Sequence, residues 1–252
     1  MSELIPQDRL WELDELYRGR FPVEELSYGT VRDFADSLDN LGGLARASGD
    51  MKDLQRCWMV KAILGTVERG EELIEIGAGE PLVAGLLTRL GYSVTVVDPY
   101  DGSDQGPTEF ERFQRDHPEV KFIRERFPPA SGLPGPVAGI YSISVLEHIP
   151  VGSMGTLMGA ATAALASGGC SIHAVDHVLA GWGAEAHRER LEQAVRRLGL
   201  SVEGLGDLIR RLESAPEAYF VSAEAHERWR GDLPYEDYPM RRIASIGLLS
   251  RK

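Results

Sequence analysis

The chain has 252 residues, 43% of them apolar and 26% charged, and a formal charge of −12. That length buries a core without disulfides or a structural metal, and the acidic balance argues against a polyanionic partner such as nucleic acid. No apolar run reaches the length of a membrane span, and residues 1–10, with Glu3, Pro6 and Asp8, hold no leader-like apolar core, so no membrane partner and a cytoplasmic location are expected.

The first sixty residues read as helical. Leu10, Leu13 and Tyr17 share helical spacing, and Asp50 caps a run with Leu54, Trp58, Ala62 and Ile63 on one face. Gly42, Gly43 and Gly49 break the pattern between them. Cys57 and Cys170 lie in apolar runs without C-x-x-C spacing and read as buried free thiols.

From Glu71 onward short β-type runs alternate with helical ones. The expected strands are 72–76, 92–97, 120–124, 139–144 and 170–175. The expected helices between them are 81–90, 108–116 and 154–166, the first ended by Gly91. Helices 184–198 and 202–212 follow, then two late strands, 218–221 and 243–249. Strand–helix alternation predicts an α/β fold with right-handed crossovers and a mostly parallel, seven-stranded sheet covered by helices on both faces. The expected organisation is an N-terminal helical cap, 1–60, on a main domain, 61–252, in which 178–242 forms a substrate-side insertion.

In such a sheet ligands bind beyond the carboxyl ends of the strands. After the first of these strands comes Glu75-Ile76-Gly77-Ala78-Gly79-Glu80-Pro81. Two glycines spaced by one residue allow a sharp turn and a close ligand approach. A dinucleotide fingerprint would need glycine at Leu82, and Glu80 at the helix start would repel a pyrophosphate. A nicotinamide oxidoreductase is therefore disfavoured. Asp98 follows the second strand, 21 residues after Gly77, where a carboxylate suits ribose hydroxyls.

These segments resemble the class I S-adenosylmethionine-dependent methyltransferase family. Leu73-Ile74-Glu75-Ile76-Gly77-Ala78-Gly79 is similar to its first motif and Val94-Thr95-Val96-Val97-Asp98 to its second. The run Ile140 to Ile149 resembles its fourth-strand motif, and Leu165-Ala166-Ser167-Gly168-Gly169 the turn before its fifth strand. The resemblance covers residues 60–177 and implies a Rossmann-like fold and S-adenosylmethionine as cofactor. It implies that Glu75, Gly77, Ala78 and Gly79 hold the methionine part and that Asp98, with Pro99, holds the ribose. Ser144 and Val145 flank the cofactor. Near the family's usual adenine-reading aspartate stands Arg126; either Glu125 substitutes or the Phe127 ring flanks the adenine.

The implied reaction is methyl transfer to oxygen, nitrogen or carbon of a small-molecule acceptor. Rival readings are methylation of a peptide or protein and a non-catalytic methyltransferase-like subunit. His177 and His148, expected over the cofactor end of the sheet, are the candidate general bases. Asp176, His226, Trp229 and Tyr235 are candidate substrate-side residues, with Tyr238 and the N-terminal Trp11, Tyr17 and Tyr28 as further walls of a lid. No metal is expected. His173 and His177 would stand about 13 Å apart along a strand, too far to share one ion. Monomer and homodimer both remain open.

Overall fold

The computed structural model describes residues 5–45, 49–103, 106–181, 183–222, 224–225, 227 and 242–252. In chain order the elements are α1 (Gln7–Tyr17), β1 (Leu26–Tyr28), α2 (Val31–Asn40), α3 (Met51–Thr66), β2 (Glu72–Ile76), α4 (Leu82–Arg89), β3 (Ser93–Val97), α5 (Phe110–Asp116), β4 (Lys121–Ile123) and β5 (Val137–Ile143). A one-turn 3-10 segment, Leu146–His148, leads to α6 (Val151–Ala164), β6 (Leu165–Val178), α7 (Ala184–Arg197), α8 (Val202–Ser214) and β7 (Ile243–Arg251).

The seven strands lie in the order β1-β7-β6-β5-β2-β3-β4. From β6 to β4 every pairing is parallel; β7 runs antiparallel to both β6 and β1. Central β2 is buried from Leu73 to Ile76, as a strand covered on both faces must be. Leu73, Val94, Val96, Tyr141 and Ile172 pack on one face with α3 and α4. Ile74, Ile140, Val175, Ala244 and Ile246 pack on the other with α6, α7 and α8. Neighbouring strand residues thus serve opposite layers. Cys57 and Cys170 are free and buried. Among the described residues no helix is long and apolar enough to cross a membrane.

The α/β, Rossmann-like sheet of seven strands is as expected, but its edge is not. Residues 218–221 make two isolated bridges, Thr30 with Ala218 and Phe220 with Ala244, instead of a strand. The outer edge of β7 from Ile246 to Leu248 is taken by β1, which comes from the N-terminal segment. Helix α2 is likewise absent from the sequence reading. Its composition, with Asp33, Asp36, Ser37, Asp39 and Asn40, is poor in strong helix formers. A capping box starts it: Asp33 N–H donates to Thr30 Oγ1 at 3.1 Å, and Thr30 N–H to the Asp33 carboxylate at 2.9 Å. Lys61, buried on α3, then donates to Asp33 O and Ser37 Oγ and pairs with Asp36, which fastens the helix.

The boundary expected at residue 60 falls inside α3. That helix is buried around most of its circumference, so it belongs to the main core.

Candidate active site

The carboxyl ends of β2, β3, β5 and β6 meet at one edge of the sheet. Gly77 and Gly79 both adopt left-handed backbone, φ 65° and 57°. A Cβ on Gly77 would stand 2.8 Å from Val145 Cγ2, so the turn presses against the segment after β5. A Cβ on Gly79 would meet nothing within 4 Å; the space above the turn is open. Asp98, 7% exposed, closes the turn: Gly79 N–H donates to Asp98 Oδ2 at 3.1 Å and Tyr100 N–H to Oδ1 at 3.0 Å. Burial raises its carboxyl, and these two bonds pull it back.

Glu75 faces inward. It is 2% exposed, accepts the Tyr141 hydroxyl at 3.0 Å and accepts a backbone N–H from Ala84 in the first turn of α4. Burial pushes it up to about 7. Its carboxyl braces the turn from below, whereas Ala78 and Gly79 line it, and Pro99 is half-buried next to Asp98.

Beyond β4 the residues divide. The Glu125 carboxylate accepts N–H bonds from Ala130 at 2.6 Å and Ser131 at 3.2 Å, so it shapes its own loop. Arg126 is exposed, and the Phe127 ring packs with the core under α6.

After β5, Ser144 is left-handed, φ 51°, an uncommon geometry for a non-glycine residue. Its hydroxyl donates to Gln55 Oε1 at 2.7 Å, and Gln55 Nε2 donates to Asp176 Oδ1 at 2.8 Å. Asp176 N–H in turn donates to Glu147 Oε1 at 3.2 Å. Gln55 and Glu147, neither of them singled out by the sequence, join this network. A lone amide on an apolar helix face was the signal for Gln55. Glu147 lies inside the fourth-strand motif, next to His148.

The two candidate bases differ in their surroundings. His148 is exposed on the 3-10 turn. His177 is 3% exposed, with Nδ1 unpaired among the described residues. Burial lowers it to about 4, with Arg188 and His187 of α7 adding to the effect. Successive strand residues face opposite ways, so Asp176 meets α3 and His177 meets α7. His177 therefore faces the α7 layer, while His148 lies just after the carboxyl end of β5.

The N-terminal aromatics do not form a wall there. Tyr17 is core and bonds Asp36, Trp11 lies under Arg69, and Tyr28 bonds Glu217. His226, Trp229, Tyr235 and Tyr238 lie outside the described residues. Among the described residues no three His, Cys, Asp or Glu side chains gather to hold a metal.

Strand order and the antiparallel β7 define a Rossmann-like α/β fold. No family model matches the chain, and no curated protein matches it. Among solved structures it is similar to geranyl diphosphate methyltransferase in complex with SAM, at 12% identity and TM-score 0.49, covering 86% of this chain and 89% of that one. It is also similar to a TehB-like SAM-dependent methyltransferase from Corynebacterium glutamicum, at 14% identity and TM-score 0.46, over 88% and 99% of the two chains. Coclaurine N-methyltransferase bound to N-methylheliamine and SAH matches at 12% identity and TM-score 0.45, over 97% and 86%.

Proposed function

We propose that this protein binds S-adenosylmethionine at the β2–β3 edge and transfers its methyl group to a small-molecule acceptor. The observation that carries the reading is the Asp98–Gly79 bond. It joins the glycine turn and the carboxylate 19 residues later into one cradle beneath open space. The residues fit the cofactor: Asp98 offers acceptors for ribose hydroxyls, and Ala78 and Gly79 present backbone to the methionine part. Glu75 supports α4 behind that turn. When bound, the cofactor supplies a methyl group already activated on a sulfonium sulfur. The chain's task is then to align the acceptor, which in favourable cases contributes roughly 7–11 kcal/mol, and to take up a proton. A small acceptor suits the charge of −12, which opposes polyanions.

Calorimetric titration with S-adenosylmethionine and S-adenosylhomocysteine tests the reading. Micromolar binding of both is expected. Folded protein that binds neither overturns it.

Two alanine variants locate the base. A positioned base contributes typically about 10²–10⁴-fold. His148→Ala and His177→Ala are each expected to lose less than that, because one side chain is exposed and the other faces α7. A larger fall in kcat in either variant, with S-adenosylhomocysteine affinity intact, would put the base on that histidine.

A further inference from the structure

Glu147, buried, and Asp176, half-buried, form an acid pair at the carboxyl ends of β5 and β6. Glu147 is 2% exposed, and its Oε2 is buried without a hydrogen-bond partner among the described residues. Its other oxygen is held by Asp176 N–H. Asp176 is held by the Gln55 amide, whose own orientation is set by the Ser144 hydroxyl on its oxygen. Three elements, α3, β6 and the turn after β5, therefore converge on two carboxyls. The turn that carries Glu147 begins at Val145, the side chain against which Gly77 of the cofactor turn packs. The pair thus adjoins the cradle proposed for the cofactor.

Both carboxyls are pushed up, first by burial; the Asp176 charge adds to this at Glu147. Lys52, exposed at the start of α3, lowers both, and Asp50 opposes it at Asp176. The site is short of positive charge and of one donor. A carboxylate, phosphate or phenolate would add negative charge beside two acids. An alcohol brings a donor but no charge. A primary or secondary ammonium brings both, and a buried acid group is stabilised by such a partner.

We propose that the Glu147–Asp176 pair, oriented by Gln55 and Ser144, receives the nitrogen of the methyl acceptor, and that the acceptor is a primary or secondary amine. The inference rests on the methyl-transfer reading above. Binding of the ammonium holds Glu147 as carboxylate, its displaced proton passing to solvent; the ammonium then gives one proton to Glu147 Oε2, which frees the nitrogen lone pair. The N–C bond then forms as the methyl–sulfur bond breaks. Sulfur keeps that electron pair, and the product leaves as an N-methylammonium ion.

The test uses the full chain, with and without saturating S-adenosylhomocysteine. Thermal shifts are measured against a library of primary and secondary amines, each paired with the alcohol and the carboxylic acid of the same skeleton. Shifts confined to amines are expected. Glu147→Gln and Asp176→Asn are each expected to weaken the best amine by about tenfold or more, the scale of one charged hydrogen bond. The Gln side chain still accepts the Asp176 N–H, so folding is preserved, and the Asn variant gives an independent reading. Shifts confined to alcohols or acids, no shift from any amine, or amine binding indifferent to both substitutions would each overturn the proposal. Calorimetry with S-adenosylhomocysteine on the same samples separates this failure from failure of the cofactor reading.

Discussion

Asp98→Ala is expected to weaken S-adenosylhomocysteine binding by about a hundredfold or more. A hydrogen bond to a charged group contributes roughly 1.5–3 kcal/mol, and two ribose hydroxyls on one carboxylate give about 3–6 kcal/mol, or about 10²–10⁴ in affinity. The free protein adds a second effect. Asp98 accepts from both Gly79 and Tyr100, so alanine leaves two backbone N–H groups without their acceptor and loosens the turn. Asp98→Asn separates the two contributions. It retains one oxygen for those donors but loses the charge, so an intermediate loss is expected. Calorimetry of both variants beside the wild type measures the difference, with circular dichroism as the check on folding. A change below threefold for alanine would move the ribose away from Asp98 and remove the main support for the cofactor site.

Glu75→Gln is expected to stabilise the protein at alkaline pH and to have a smaller effect in acid. Burial raises the Glu75 carboxyl from 4.5 to about 7, against the Tyr141 and Ala84 hydrogen bonds that favour its charged form. A carboxyl raised in the folded state contributes stability that is present below the unfolded value and lost as pH rises through the folded value. The wild type therefore declines relative to the glutamine variant between pH 4.5 and about 7, then runs parallel to it. The full difference is about 3 kcal/mol. Glutamine has no proton to lose, and its carbonyl oxygen can still accept from Tyr141. Denaturant unfolding at pH 5 and pH 8.5 reads the change. A stability gap that does not grow with pH would mean that Glu75 is not held in its neutral form. Glu75→Ala serves as contrast: it leaves the buried Tyr141 hydroxyl without its acceptor and is destabilising at every pH.

What could be read from the sequence is what short-range physics controls. The β-branched run before Asp98 is a central strand because branched residues fit a pleated, buried surface. Gly77 and Gly79 mark the turn because only glycine takes left-handed backbone at little cost. Asp50 caps α3, and the alternation from β2 to β6 specifies parallel pairing through its crossovers. These local signals place the glycine turn and Asp98 at the carboxyl ends of β2 and β3.

Tertiary packing decided the rest. A three-residue strand such as β1 carries too little periodicity to announce itself; it exists because the outer edge of β7 needs hydrogen-bond partners. Helix α2 depends on Lys61, 24 residues beyond Ser37. Glu125 lies where an adenine partner was expected, yet its carboxylate closes its own loop. Asp176 and His177 are adjacent in sequence but serve opposite layers, so the pleat, not residue type, sends one toward α3 and the other toward α7. Gln55 and Asp176 stand 121 residues apart, and only the docking of α3 on β6 brings them to 2.8 Å. Local dihedral preferences and hydrophobic period are written in neighbouring residues. The pairing of distant polar groups follows from the closure of the whole core, which no window of sequence contains.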